Sequence, residues 1–224
     1  MATLTIKEST IKTIIFDFDG TLAKLNIDFN QMREAIGKLI LSYDINRDEL
    51  HTDFVLEMID QVTEILNKLS PKKADTFNDE ANTIIENIEI EAANKGELFD
   101  HTRELLVFLK SQGISCGIIT RNCSKAVTII FPDILTYCPV VICRDDVNKV
   151  KPHPEHISLA LTKLCSSAES TLMVGDHPID IETGRNAGTL TCGVLTGRCQ
   201  KKDFIEARAD IVISNAADIL NIIR

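Results

Sequence analysis

The order of the hydrophobic runs constrains this chain most. Short apolar segments, rich in β-branched residues, stand at Thr13–Phe16, Ile114–Ile119, Val140–Cys143, Leu172–Val174, Thr191–Leu195 and Ile211–Ile213. Helical periodicity fills the intervals, near 101–111, 123–131, 154–165, 178–187 and 216–223. Such alternation predicts an α/β fold, a doubly wound parallel sheet of Rossmann-like type with helices on both faces. In a sheet of this kind ligands are held at the carboxyl ends of the strands. The residues that follow each apolar run are therefore the ones to read for chemistry.

Between the first strand and the rest lies a stretch of different texture, from about 28 to 95, with helical spacing and no strand. Phe29, Met32, Ile36, Leu39 and Ile40 mark one apolar stripe. Leu50, Phe54, Met58, Val62, Ile65 and Leu69 mark a second, and Phe77, Ala81, Ile84, Ile85 and Ile88 a third. Spacings of three and four predict three amphipathic helices that bury one face in a small bundle. Ser70-Pro71 separates the last two, with Pro71 at a first helical position and Ser70 placed to cap. The expected organisation is a core of 1–23 and 96–224 interrupted by a helical insertion, 24–95.

Composition narrows the partners. With 44% hydrophobic residues in 224, the chain can fill a core, and no run approaches the length of a membrane span. The formal charge of −9 comes with no basic stripe, which argues against a nucleic-acid polymer as partner. An anionic ligand would need a local cation. MATLTIKEST lacks the basic-then-apolar pattern of a secretory signal. The seven cysteines include no CxxC pair and are odd in number, so they read as small buried hydrophobes in a reducing, cytoplasmic setting.

At the strand ends the residue types change abruptly. IIFDFDGTL places Asp17 and Asp19 two apart, hence pointing the same way, where two like charges call for a cation or an unusual proton. The second run ends in Thr120, Arg121 and Asn122; the fourth in Gly175, Asp176 and, four residues on, Asp180. Lys151 precedes another helix in VKPHPEHI. Four carboxylates, a hydroxyl and an amine from one sheet edge suit Mg²⁺ and a phosphate, and the absence of a His or Cys cluster argues against zinc. Lys151 and Thr120 are natural holders of phosphate oxygens. One aspartate can attack phosphorus, and the other can protonate a leaving oxygen and then activate water. The five histidines read as surface or capping residues, and Asn122 as the cap of the following helix.

Four motifs in order, DFDGTL (17–22), IITRN (118–122), KPHPE (151–155) and VGDHPIDIETGRNAG (174–188), make the chain resemble the haloacid dehalogenase-like hydrolases, in the branch that includes phosphoglycolate phosphatases. The resemblance implies Asp17 as the phosphorylated nucleophile, Asp19 as general acid/base, and Thr120 and Lys151 as phosphate binders, with Arg121 and Gly20 counted in the same phosphate-binding set. It implies Mg²⁺ held by Asp17, by the main-chain carbonyl of Asp19 and by Asp176, with Asp180 in support. It also implies that the helical insertion is a cap that closes over the site. The expected activity is Mg²⁺-dependent hydrolysis of a small phosphorylated metabolite through an aspartyl-phosphate. A phosphomutase of the same fold and a non-catalytic phosphate sensor are the alternatives.

Overall fold

The computed structural model describes residues 4–6 and 9–222, and the protein falls into two compact units. One comprises the described residues up to Leu25 together with those from Gly96 on; the other is Asn26–Lys95.

The first unit begins with a small antiparallel hairpin, β1 (Leu4–Ile6) and β2 (Ser9–Ile11). Then comes β3 (Thr13–Phe16), buried along its whole length. Next, β4 (Ala23–Lys24) carries the chain out toward the second unit, whose helices are α1 (Phe29–Ser42), α2 (Val55–Leu69) and α3 (Pro71–Ala93). The chain returns on β5 (Glu97–Leu98), which pairs antiparallel with β4. Thus Lys24 and Leu25, expected in the helical insertion, lie with the α/β unit.

The remainder runs α4 (Thr102–Ser111), β6 (Ser115–Ile119), α5 (Ser124–Ile130), α6 (Ile134–Tyr137), β7 (Val140–Ile142), α7 (Pro154–Leu164), β8 (Thr171–Gly175), α8 (Pro178–Ala187), β9 (Leu190–Val194), α9 (Lys201–Glu206) and β10 (Ile211–Ile213). Six strands form one parallel sheet in the order β10-β9-β8-β3-β6-β7. The chain builds outward from β3 through β6 and β7, then crosses back to β8 on the other side. That reversal makes the β3/β8 junction the switch point, where a crevice opens at the carboxyl ends. The near-continuous apolar character of β3, β6 and β8 follows from burial on both faces.

The six expected strands are all in this sheet. The segment expected as a helix near 216–223 is instead a 3₁₀ turn, Ala216–Asn221, started by the Asn215 side chain accepting the Ala217 N–H at 2.9 Å; residue 223 lies outside the described residues. The hairpin β1–β2, the β4–β5 pair, α6 and α9 had no sequence signal, because elements this short complete too few periods.

In the helical unit the stripes are narrower than the sequence suggests. Met32, Ile36 and Ile40 are buried on α1, whereas Phe29 is exposed. The buried face of α2 is Val55, Met58, Ile59, Val62 and Leu66; of the expected stripe, Leu50 lies outside the helix and Phe54 and Leu69 face solvent. A 3₁₀ turn at Arg47–Glu49 starts the α1–α2 connection, which delays the second helix to Val55. On α3 the buried apolar residues are Ala74, Phe77, Ala81, Ile85, Ala92 and Ala93, with Phe77 edge-on to Tyr43 at 5.2 Å. Pro71 opens α3 as expected, but Ser70 makes no side-chain capping bond.

Candidate active site

Four of the six chemically important side chains, Asp17, Thr120, Asp176 and Asp180, arise within one or two residues of a strand end or helix start. Asp17 directly follows β3, and its N–H continues the ladder by donating to the Val174 carbonyl of β8 (2.8 Å). Asp176 follows β8. Thr120 follows β6 and donates its N–H to the Ile142 carbonyl that ends β7 (3.0 Å). Asp180 sits in the first turn of α8, where its Oδ2 accepts the His177 N–H at 3.1 Å while the His177 ring accepts from Ile179 N–H at 3.1 Å. This reciprocal cap fixes the Asp180 rotamer. Lys151 arrives on the loop ahead of α7, whose start is set by Pro154 and by the His153 ring accepting from the Glu155 N–H.

Lys151 is buried, and its Nζ donates to Asp17 Oδ1 at 2.5 Å and to Asp180 Oδ1 at 2.7 Å. Lys149, two residues earlier in the chain, is exposed. Asp17, Asp176 and Asp180 each offer a carboxylate oxygen, all within 4.8 Å of one another. Asp19 turns its carboxyl elsewhere, with Oδ1 accepting the Leu25 N–H at 2.9 Å. The third carboxylate of the cluster is therefore Asp180, and Asp19 is held as a separate group beside it.

One ammonium among these acids leaves an excess of negative charge. Burial pushes Asp17 up to about 7, opposed by Lys151 and reinforced by Asp180. Burial likewise pushes Asp176 up to about 9, and Asp17, Asp180 and Asp19 add to it. Asp19 is raised by burial against the Leu25 amide and the Arg198 guanidinium. Burial alone would lower Lys151, but Asp17 and Asp180 outweigh it, so the ammonium stays charged.

The Thr120 hydroxyl oxygen accepts the Asn122 N–H (3.2 Å), which leaves its hydrogen to donate. Asn122 is buried and does not cap α5; that position belongs to Cys123. Arg121 is half-buried and donates to the Lys151 carbonyl at 3.3 Å. Gly20 has φ +77, and a Cβ there would overlap the Asp176 carboxylate.

Two features escaped the sequence. The loop after β9 returns to the site, where Thr196 Oγ donates to the Gly20 carbonyl and Gly197, like Gly20, leaves no room for a Cβ beside Asp176. The signal was available, since LTGR follows an apolar strand just as DFDG does. The other is His156, expected at the surface and instead fully buried. Five cysteines are buried, as expected; Cys165 is exposed and Cys199 is half-buried. An open depression in the helical unit, lined by Arg47, His51, Asp53 and Phe54 among others, contains none of the motif residues. Among the described residues no helix is long and apolar enough to cross a membrane.

The residues fit a hard divalent cation. The donors are all oxygen, they converge, their charge is under-compensated, and glycines keep the space beside Asp176 open.

The family model for haloacid dehalogenase-like hydrolases matches residues 14–194, and the chain belongs to that family. It is an enzyme of the phosphatase kind. It is 32% identical to the pyrophosphatase PpaX of Oceanobacillus iheyensis, over 96% of this chain and 97% of that protein. It is 29% identical to the pyrophosphatase PpaX of Bacillus pumilus, over 97% and 99%. Among solved structures, a hydrolase from Pseudomonas syringae shares the fold with a TM-score of 0.66 at 20% identity, covering 94% of this chain and 96% of that one.

Proposed function

We propose that this protein is a Mg²⁺-dependent phosphatase that hydrolyses a small phosphorylated metabolite through an aspartyl-phosphate on Asp17. The observation that carries the reading is the buried Asp17–Lys151–Asp180 array beside Asp176, at the sheet's switch point. Asp17, Asp176 and Asp180, with the Asp19 carbonyl, are the groups to hold the cation. When bound, Mg²⁺ would neutralise this acid cluster and the charge on the transferring phosphoryl group.

The chain's own groups then divide the work. The Asp17 carboxylate attacks phosphorus, and Lys151 Nζ and Thr120 Oγ–H hold two of the phosphoryl oxygens through transfer. Asp19, its carboxyl raised by burial and oriented by the Leu25 amide, donates its proton to the leaving oxygen. The resulting carboxylate takes a proton from the water that cleaves the aspartyl-phosphate, so Asp19 ends as it began. Asp180 keeps Lys151 in place. Arg121 and Gly20 belong to the phosphate-binding loops, and the helical unit 26–95 is the cap that selects the substrate.

Inorganic pyrophosphate is the first substrate to try, because relatives similar over nearly the whole chain bear a pyrophosphatase name. A phosphomutase would use the same residues but would return the phosphoryl group to a sugar and need a bisphosphate activator. The test is a panel of pyrophosphate, phosphoglycolate, sugar phosphates and nucleoside monophosphates, each with Mg²⁺ and with chelator. Release of phosphate that needs Mg²⁺ and no bisphosphate supports hydrolysis. Full activity in excess chelator, or turnover only with bisphosphate, refutes it. The acidic chain with its reducing-type cysteines is consistent with a cytoplasmic enzyme.

A further inference from the structure

His156 has no part in the scheme above, yet its ring is fully buried in the first turn of α7. Nδ1 lies 3.2 Å from the main-chain nitrogen of Lys151, and Nε2 lies 3.0 Å from the Ile142 carbonyl. A backbone N–H can only donate, so Nδ1 is the bare nitrogen. Nε2 therefore carries the hydrogen and donates to Ile142. The same Ile142 carbonyl accepts the N–H of Thr120. One imidazole thus links the main chains of the two residues assigned to hold phosphate.

We propose that His156 is a positioning residue that fixes Lys151 and Thr120 at one separation, across the end of β7, for gripping the phosphoryl group. The inference rests on the phosphatase reading and adds to it a residue outside the four motif roles. An apolar side chain would fill the same space without desolvating two ring nitrogens, so packing alone does not account for a histidine here. Burial keeps the ring neutral by lowering it to about 4, and the two cations that act on it, Lys151 from the preceding loop and Arg121 from the loop after β6, push the same way. The acceptor at Nδ1 and the donor at Nε2 therefore persist wherever the enzyme works.

The test compares wild type with His156→Asn, which retains an oxygen near Nδ1; His156→Gln, which retains a donor near Nε2; and His156→Leu, which retains neither. Positioning errors of this kind cost up to about 100-fold, and loss of one such hydrogen bond about tenfold. His156→Leu should lower kcat on an aryl phosphate by about 10- to 100-fold and weaken binding of inorganic phosphate, read by calorimetry, by about tenfold. Asn and Gln should fall between. The Mg²⁺ concentration for half-maximal activity should move less than phosphate affinity does, because the His156 ring bonds the Lys151 main chain and the Ile142 carbonyl and none of the groups assigned to the cation. Unchanged phosphate affinity in all three variants would overturn the proposal, as would equal losses in phosphate affinity, Mg²⁺ response and thermal stability.

If the leucine variant does not fold, ¹⁵N spectra of histidine-labelled wild type decide. One ring should be neutral, with hydrogen on Nε2, near neutral pH; a charged or Nδ1–H ring at this position overturns it. Wild type that hydrolyses no phosphate compound would defeat the functional reading instead, and the calorimetric and spectral results would still judge His156.

Discussion

Replacing Lys151 by methionine removes the ammonium that bonds Asp17 and Asp180 while keeping most of the side chain's volume. All three groups are buried, at 3%, 9% and 2% side-chain exposure, so solvent cannot substitute for the lost charge. Breaking a buried ion pair from one side costs about 3–5 kcal/mol, and because one ammonium serves both acids the cost is counted once. In a chain of this size about 1 kcal/mol moves Tm by roughly 2–4 °C, so Lys151→Met should melt roughly 6–20 °C below wild type in chelator.

The loss should depend on pH. Without Lys151, the strongest influence opposing burial at Asp17 is gone, and its folded-state pKa rises further above the ordinary carboxylate range. A raised pKa gives stability that is fully present below the unfolded value and is lost as pH rises through the folded value. The variant should therefore recover toward wild type in acid and fall away toward neutral pH. Mg²⁺ should narrow the gap, since the acid cluster without its ammonium binds the cation more tightly than wild type does, and a tenfold tighter Kd adds about 1.4 kcal/mol at saturation. Calorimetric or denaturant unfolding at two pH values, with chelator and with Mg²⁺, measures all of this. A variant that melts with wild type in chelator near neutral pH would refute the electrostatic account of the cluster.

Metal-free wild type should itself lose stability as pH rises through the range where Asp17, at about 7, and then Asp176, at about 9, release protons that the folded state holds; a flat or rising curve in chelator contradicts this, and saturating Mg²⁺ should remove most of the slope. Gly197→Ala puts a methyl group against the Asp176 carboxylate, so the Mg²⁺ requirement should rise by about tenfold or more, the equivalent of roughly 1.4 kcal/mol, with helical content unchanged by circular dichroism; an unaltered Mg²⁺ titration speaks against Asp176 as a ligand. Asp19→Asn should lose about 10²–10⁴-fold in turnover, yet show a burst with an aryl phosphate, whose leaving group needs little protonation, and no burst with an alkyl phosphate; equal damage to both, with no burst, would leave Asp19 without its proton-transfer role.

How far the sequence led depended on whether a residue's neighbours are close along the chain. The six sheet strands and the edge that carries Asp17, Thr120 and Asp176 were legible because a short continuous apolar run and the residue after it are a local pattern, whereas Lys151 was picked out by the KPHPE motif of the resemblance. So was Asp180, four residues beyond Asp176, though its bond to Lys151 was not, since these two meet only once the α7 and α8 starts are folded. His156 looked like a surface helix residue because nothing in KPHPEHI reveals that Ile142 and the Lys151 amide converge on its ring. Phe54 and Leu69 looked like core because i, i+4 spacing gives the direction of a stripe but not its width, and the helix begins only at Val55. For Thr196 and Gly197 the strand-end position of LTGR was legible, but not that the loop folds back on Asp176 and on Gly20, the latter a contact spanning most of the chain.

The central claim is that phosphorus bonds covalently to Asp17 during turnover. The direct measurement is an acid quench of the Mg²⁺-loaded Asp19→Asn enzyme, in which hydrolysis of the intermediate is slowed, mixed with an aryl phosphate and mapped by peptide mass spectrometry after hydroxylamine or borohydride treatment. The account requires acid-stable, hydroxylamine-labile phosphoryl label, approaching one per active site, on the peptide that contains Asp17, and none in Asp17→Asn. Label on another residue, or steady hydrolysis by wild type with no phosphoenzyme in either protein, would contradict it.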